Sequence, residues 1–173
     1  ERILSHSPSG KVPCLIDHGF TVWDSLAIGE YLAEKNPALL PADPAARAIA
    51  RAVTAEMHAG FQNLRSRMPM NVRKDYTGFG HSPEVDADIA RIIAIWNDCR
   101  ARFGAEGPYL FGRFSLADAA FAPVAFRVQT YGVKPEGAAG EYLATLLANP
   151  HMQEWTVAAR AETESIVEED LYG

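Results

Sequence analysis

The chain has 173 residues, of which 48% are hydrophobic and 22% charged, so its composition is that of an ordinary globular protein and excludes a disordered, collagen-like or disulfide-stapled chain. The net charge of -6 argues against nucleic-acid binding, which usually requires a basic excess. No apolar run approaches the roughly 20 residues of a membrane-spanning helix, and two cysteines are too few for a disulfide framework. These features predict a soluble, cytoplasmic protein that binds neither nucleic acid nor membrane.

Charge is distributed unevenly along the sequence. Residues 44–74 contain six basic side chains and one acidic side chain, Glu56, whereas residues 162–173 contain five acids and no basic residue. Two interpretations are open for the basic segment. It is either a solvated face or one wall of a site that attracts anionic ligands.

The first 36 residues predict a β-hairpin followed by one helix. Val12 to Ile16 is a short apolar run that predicts a buried strand, an Asp-His-Gly turn follows, and Phe20 to Trp23 predicts the second strand. Asp24 and Ser25 are suited to cap a helix that ends before Pro37. A hairpin and one helix are too small to fold alone.

The sequence begins abruptly with ERIL and no initiator Met, a pattern that is typical of the end of a helix. We therefore expect a further N-terminal piece upstream of Glu1. A polypeptide that truly begins at Glu1 is expected to expose the edge of its hairpin and to self-associate beyond a dimer.

Residues 37–44, which read PALLPADP, predict a semi-rigid connector, and the hydrophobic period is helical from there onward. The spacing predicts one long helix from Ile49 through Met68 and a second helix after Ser82-Pro83 that packs along the first. A central helix begins at Ser115 with a capping box closed by Asp118, and two shorter helices follow around residues 141–148 and 152–161. The predicted organisation is residues 1–36, a linker at 37–44, and an all-α domain at 45–173.

Motifs of metal, nucleotide and serine-hydrolase chemistry do not occur in the sequence. There is no CxxC, HExxH, phosphate-binding glycine motif or GxSxG, and the five histidines show no ligand spacing. The sequence therefore predicts no metal cofactor.

The segment Ser9-Gly-Lys-Val-Pro13, followed by one hairpin and by Asp24-Ser25, resembles the second half of the thioredoxin-like domain of cytosolic glutathione transferases. The resemblance continues through the proline-rich linker and through Glu56-Met-His-Ala-Gly-Phe61, and residues 65–70 resemble bacterial members. It implies the second half of an α/β thioredoxin-like domain, a hairpin plus a helix, followed by an all-α helical-bundle domain. It also implies a homodimer.

The resemblance assigns glutathione-binding roles to Lys11, Val12, Asp24 and Ser25. The bond between Val12 and Pro13 is expected to be cis, and the Val12 backbone would pair with the cysteinyl unit of glutathione. Ser25 and the helix N-terminus would bind the γ-glutamyl carboxylate, and Asp24 would bind the ammonium group. The family often has Glu at the position of Asp24. Lys11 either reaches the glycyl carboxylate or is an exposed loop lysine.

A co-substrate pocket is expected on the long helix, with contributions from Arg51 and from Tyr172 in the tail. For the apolar candidates the alternative is core packing, and for the polar ones it is a solvated surface. The candidates are Met57, His58, Phe61 and Arg65.

The residue that stabilises the glutathione thiolate in the family is a Ser, Tyr or Cys of the first strand and helix, and we expect it upstream of the residues given. Cys14, in the predicted buried strand, and Cys99, in a helical apolar stripe, are both expected to be inert core residues.

The resemblance implies a glutathione transferase that joins glutathione thiolate to an electrophile. Two alternatives remain open. One is a glutathione-dependent isomerase similar to maleylacetoacetate isomerase, in which Arg51 and Arg65 would suit acidic substrates. The other is a noncatalytic binding module that retains the fold.

Overall fold

A computed structural model describes residues 3–164 and 171–172. Strand β1, Cys14–Asp17, pairs antiparallel with strand β2, Phe20–Trp23, and helix α1, Ser25–Lys35, follows directly. The predicted hairpin and helix are therefore confirmed. Glu168, Glu169 and Asp170 of the acidic tail lie outside the described residues.

Helix α1 packs against one face of the hairpin. The Tyr31 hydroxyl donates to the Asp17 carboxylate, and the Lys35 ammonium forms an ion pair with the same group. Hydrogen bonds from Lys35, which has the larger effect, and from Tyr31 lower the pKa of Asp17. The edge of the Phe20 ring meets the Tyr31 ring at a centroid separation of 5.5 Å. Aromatic and polar contacts thus hold this face of the hairpin on the helix.

The opposite face of the hairpin is exposed, which corrects the prediction of a buried strand. Ile16 is 60% exposed and Trp23 is 45% exposed, and their side chains leave the hairpin on the side away from α1. Strand β1 also begins two residues later than predicted, at Cys14.

The proline-rich connector contains one turn of 3-10 helix, Pro37–Leu39, and ends where Asp43 caps the next helix by accepting the Ala46 N–H at 2.8 Å. Six α-helices follow within the described residues. They are α2 Pro44–Ala59, α3 Gln62–Arg67, α4 Pro83–Phe103, α5 Leu116–Thr130, α6 Gly137–Leu147 and α7 Pro150–Ala161. No helix in the described ranges is long and apolar enough to cross a membrane.

The prediction of one continuous helix through Met68 is wrong, because α2 ends at Ala59 and a new helix, α3, begins at Gln62. Gly60 lies so close to the Glu56 carbonyl that an added Cβ would meet it at 2.7 Å, and Phe61 adopts a left-handed conformation with φ 59°. The turn redirects the backbone while the Phe61 ring stays buried. The apolar spacing therefore continues across a break in the helix.

Helix α5 lies at the centre of the second domain, as its apolar sequence predicts. It packs against α2 and α6, and Phe121 meets the buried Trp96 of α4 edge to face. Helix α4 packs mainly against α3 and α6, so the expectation that it packs along the first helix holds for the α3 part of that predicted helix. An ion pair between Glu56 and Arg91 links α4 to α2.

Buried Asp118 closes the start of α5. Its carboxylate accepts the Ser115 N–H at 2.8 Å and the Leu110 N–H at 3.1 Å. The predicted capping role is confirmed, and the same carboxylate holds the preceding loop. Burial raises the pKa of Asp118.

Candidate functional site

The hairpin register brings the predicted ligand-binding residues to one end of the sheet. Cys14 lies opposite Trp23, so the segment that enters β1 and the segment that leaves β2 emerge together. These two segments carry Lys11, Val12, Asp24 and Ser25.

Val12 presents its backbone at this end of the hairpin. The bond between Val12 and Pro13 is cis, as predicted, and the Val12 side chain is 74% exposed. Among residues 3–164 and 171–172, neither the N–H nor the C=O of Val12 has a hydrogen-bond partner. Lys11 is exposed, and its N–H donates to the Ser9 hydroxyl. Both Val12 backbone groups are thus open to a ligand.

Asp24 joins the hairpin to α1 in an unusual conformation, with φ 74°. A positive φ is uncommon for a residue other than glycine. One carboxylate oxygen, Oδ1, accepts the Leu26 N–H at 2.8 Å and caps the helix. The other oxygen, Oδ2, faces His58 of α2, whose Nε2 lies 3.1 Å away.

Ser25 is the first residue of α1 and also contacts His58. Its Oγ lies 3.4 Å from Nδ1 of the imidazole. The two ring nitrogens of His58 therefore face two adjacent residues at the start of α1. This contact brings one predicted co-substrate residue into the predicted glutathione site.

A cleft of about 200 Å³ lies beside this cluster, between α1, α2 and α5. Ser25 and His58 line its polar end, together with Glu30, Arg51 and Thr54. Met57 and apolar residues of α5 form the other walls, so the cleft combines an apolar floor with polar groups on one side. Of the four predicted co-substrate residues, Met57 and His58 line this cleft.

Arg51 does not offer a free cation to the cleft. Its guanidinium donates three hydrogen bonds to the Glu30 carboxylate, Nε to Oε1 at 3.0 Å, Nε to Oε2 at 3.2 Å and Nη2 to Oε2 at 2.9 Å. Arg51 lowers the pKa of Glu30. The pair neutralises both charges and links α1 to α2.

Phe61 and Arg65 do not line the cleft. They line a smaller crevice of about 10 Å³ that shares Met57 and Pro123 with the cleft and is too small for a co-substrate. The Arg65 guanidinium donates to the carbonyls of Met57 at 2.6 Å and of Gly60 at 3.0 Å. Arg65 thus satisfies the carbonyl groups at the end of α2, a structural role.

Tyr172 does not line the cleft either. Its hydroxyl donates to the Arg67 carbonyl at 2.6 Å, and its ring packs in a cluster with Tyr76, Phe79 and Tyr131. Arg73, another member of the basic segment, donates to the carbonyls of Glu162 and Glu164. The contacts of Arg51, Arg65 and Arg73 favour structural roles for these cations over a basic wall.

A second cavity, of about 270 Å³, adjoins the cleft, because Ala119 and Pro123 line both. Phe126 and Trp155 form its aromatic wall, with ring centroids 5.2 Å apart. Sequence reasoning missed Trp155, which is 44% exposed on α7. The available signal was one large aromatic residue in a helix whose other apolar residues are smaller.

The two cysteines differ in their environments. Cys14 is half-buried, not fully buried as predicted, and its thiol donates to the His6 carbonyl at 3.3 Å. Cys99 is 1% exposed, and burial raises its pKa to about 12, which confirms its place in the core.

In the part of the chain that the structure describes, no group of three or more His, Cys, Asp or Glu side chains is placed to hold a metal ion.

Two family models match the chain. The N-terminal domain of glutathione S-transferase matches residues 1–35, and the C-terminal domain of glutathione S-transferase matches residues 80–158. The two matches correspond to the hairpin module and to most of the helical module.

Individual proteins agree with these matches. A probable maleylacetoacetate isomerase from Caenorhabditis elegans is 40% identical over 82 residues, which are 46% of this chain and 38% of that protein. A stringent starvation protein A homolog from Pasteurella multocida is 27% identical over 158 residues, 86% of this chain and 66% of that protein. The chain thus spans between about a third and two thirds of the length of these curated relatives.

Among solved structures, a glutathione transferase homolog from Burkholderia with bound glutathione superimposes with a TM-score of 0.64 and 26% identity. The superposition covers 90% of this chain and 77% of that one. The superposition shows a shared fold with a glutathione transferase homolog, while the two sequence relatives carry different names.

Proposed function

The chain belongs to the glutathione S-transferase family, and we propose that it binds glutathione at the end of the hairpin and joins its thiolate to an electrophilic co-substrate. The observation that carries this proposal is the pairing of an acid and a hydroxyl, Asp24 and Ser25, at the N-terminus of α1. A zwitterionic amino-acid group requires both an anionic and a hydrogen-bond-donating partner.

The γ-glutamyl end of glutathione carries such a zwitterion. Its carboxylate would accept hydrogen bonds from the Ser25 hydroxyl and from the exposed N–H groups of the first turn of α1, where the helix dipole favours an anion. Its ammonium would bind Oδ2 of Asp24, since Oδ1 is engaged in capping the helix. Although the side chain of Asp24 is shorter than that of the Glu often found in the family, its second oxygen, Oδ2, is not used by the helix cap.

The remainder of glutathione would extend along the Val12 segment. The unpartnered N–H and C=O of Val12 support pairing with the cysteinyl unit in the manner of an added strand. Lys11, exposed one residue earlier, would bind the glycyl carboxylate.

The chemical step requires glutathione as a thiolate, because a thiol is a poor nucleophile. The resemblance assigns the stabilising Ser, Tyr or Cys to a position upstream of Glu1, and neither Cys14 nor Cys99 takes that role in the proposal. The thiolate sulfur would form a bond to an electrophilic carbon of the co-substrate, and a leaving group such as halide would depart with the electron pair.

The co-substrate would bind in the cleft beside Met57 and His58, with its apolar part in the adjoining cavity against Trp155. An aromatic and sulfur-rich lining suits a planar apolar electrophile.

Isomerisation is the second candidate function, favoured by the similarity to a probable maleylacetoacetate isomerase. In that reaction glutathione is returned unchanged. Arg51 is paired with Glu30 and Arg65 with backbone carbonyls, so neither is free to bind an acidic substrate. These contacts favour conjugation.

A noncatalytic binding role would retain glutathione affinity without either reaction.

Calorimetry with glutathione tests the site. Ser25→Ala is expected to weaken binding by about 1.5 to 3 kcal/mol, the typical value for a hydrogen bond to a charged group. Asp24→Asn is expected to weaken it too, because the amide can still cap α1 but carries no charge for the ammonium. Ser66→Ala, on the exposed face of α3, is the matched control. Unchanged affinity in Ser25→Ala would remove Ser25 from the site.

Conjugation and isomerisation are separated by following glutathione itself. In an assay with an aryl halide, conjugation consumes one thiol for each product molecule formed. Isomerisation of a cis-dienoic acid would proceed with no loss of thiol. Binding without either reaction would indicate the noncatalytic module.

A further inference from the structure

We infer that His58 couples ligand binding at this site to the uptake of a proton, so that the γ-glutamyl group binds more tightly when the imidazole is charged. The inference rests on the proposed function. It arises from one arrangement: a single imidazole of α2 contacts both side chains that are proposed to bind the γ-glutamyl end.

The first step concerns the neutral form of His58. A carboxylate only accepts hydrogen bonds, so the contact of 3.1 Å between Nε2 and Asp24 Oδ2 assigns the ring proton to Nε2. Nδ1 is then an acceptor, and the hydroxyl 3.4 Å away must donate to it. In this state the Ser25 proton points toward the imidazole and away from a bound carboxylate.

Protonation reverses the second contact. Both ring nitrogens of the imidazolium are donors, so Nδ1 donates to Ser25 Oγ and the hydroxyl proton is released. Ser25 can then donate to the carboxylate of the ligand. The proton also places a positive charge beside that carboxylate, which strengthens the interaction further.

Asp24 can hold the imidazolium and the ligand ammonium together. A carboxylate has about four lone-pair sites, and within the described residues only the Leu26 N–H and His58 occupy them. With His58 charged, the imidazolium and the ligand ammonium both lie beside the Asp24 anion, and the ligand carboxylate balances the second positive charge.

The other charged groups near His58 are engaged. Glu30 of α1 and Arg51 of α2 line the same cleft as a mutual ion pair. Glu56 of α2 is paired with Arg91 of α4. Arg65 of α3 reaches the main-chain carbonyl of His58 at 3.4 Å with a guanidinium already bonded to other carbonyls.

Helix α5 presents only apolar residues to the cleft: Leu116, Ala119, Ala120 and Pro123. Of the charged groups named around the imidazole, Asp24 is thus the one whose side-chain partner is His58 itself.

S-methylglutathione is the appropriate probe, because it has the γ-glutamyl group but no thiol that could ionise. We expect calorimetry to give an affinity for the wild type that is about fivefold higher at pH 5.5 than at pH 8, within the usual range of coupled equilibria. Titrations in two buffers of different ionisation enthalpy are expected to show net proton uptake near pH 7.

His58→Gln removes the titrating group and is expected to bind with the same affinity at both pH values and without proton uptake. His81→Gln is the matched control: His81 is also a surface histidine paired with an acid, Asp86 at 2.7 Å, but it lies before α4. This variant should keep the pH dependence of the wild type. A merely structural role of His58 would lower affinity without removing that dependence.

Wild-type binding that is independent of pH would overturn the inference and leave the proposed function intact. The same holds if His58→Gln keeps the dependence. Absence of binding at every pH would overturn both. If His58→Gln does not fold, NMR titration of the His58 ring in the wild type decides the question: its titration midpoint should move to higher pH with S-methylglutathione, and an unmoved midpoint contradicts the coupling.

Discussion

Arg51 of α2 and Glu30 of α1 form a two-pronged ion pair across the junction of the two predicted domains, with N–O distances of 3.0 and 2.9 Å. Helix α1 carries Asp24 and Ser25 at its start, and α2 carries His58 near its end. The pair therefore helps to set the angle at which the imidazole meets the two candidate ligand-binding residues.

Glu30→Gln is expected to lower stability at neutral pH by less than about 1 kcal/mol, because the pair is largely exposed. Arg51 lowers the pKa of Glu30 in the folded state below its ordinary value of 4.5. The stabilisation is therefore present above pH 4.5 and is lost as pH falls through the lower folded value.

Urea unfolding of the wild type and Glu30→Gln at pH 7 and at pH 3 measures this difference. The difference between the two proteins should be smaller at pH 3 than at pH 7. Glu34→Gln, on the exposed face of the same helix, is the control and should match the wild type at both pH values. A difference that grows on acidification would contradict the ion-pair account.

Asp118→Ala is expected to destabilise the protein by about 2 to 4 kcal/mol, since it leaves the buried N–H groups of Leu110 and Ser115 without an acceptor. Asp98→Ala, which removes an exposed carboxylate paired with Arg102, should cost less than about 1 kcal/mol. Thermal unfolding compares the two. Equal melting temperatures would mean that water or a rearranged loop replaces the carboxylate.

The parts of the fold that could be predicted from sequence are those fixed by local chemistry. Ser82-Pro83 marks the start of α4, and Asp118 marks the start of α5, because caps act within one turn of helix. The break at Gly60-Phe61 could not be predicted from periodicity. The apolar residues keep a spacing of three or four on both sides of it, and the left-handed Phe61 is held in place by tertiary packing.

In the candidate site, too, some residues could be predicted from local sequence and others depend on tertiary packing. Asp24 and Ser25 could be identified because a cap and a helix start are local features of sequence. The contact of His58 with both depends on how α2 crosses α1, which tertiary contacts such as the Glu30–Arg51 pair determine. The carbonyl contacts of Arg65 could not be predicted for a related reason, since they arise where the predicted helix is interrupted before Gln62.

The two thiols should react at very different rates. Cys99 is buried, with its pKa raised to about 12, so it should resist an aromatic disulfide reagent at pH 8 until the protein unfolds. Cys14 is half-buried and should be modified first. One thiol titrated in the native state and two in urea is the expected count.

Cys14→Ser should also leave conjugation unchanged, and a loss of activity in a folded variant would contradict the inert role of Cys14.

Trp155→Ala is expected to raise KM for an apolar aryl co-substrate severalfold and to leave glutathione affinity unchanged, because it removes one wall of the cavity beside the cleft. Steady-state kinetics with the co-substrate varied, together with calorimetry for glutathione, separates the two effects. Val157→Ala, exposed on the same helix, is the control. Equal KM values in both variants would exclude this cavity from the co-substrate site.

The exposed face of the hairpin predicts self-association of a purified polypeptide that consists of these 173 residues. Ile16 and Trp23 lie on the face that α1 does not cover, and the outer edges of a two-stranded sheet offer unpaired backbone groups. Sedimentation velocity should show species larger than a dimer that grow with concentration. Ile16→Lys places a charge in the middle of this face and should shift the distribution toward smaller species, whereas Val157→Lys, on α7, should not. Association that both substitutions leave unchanged would locate the contact on another surface.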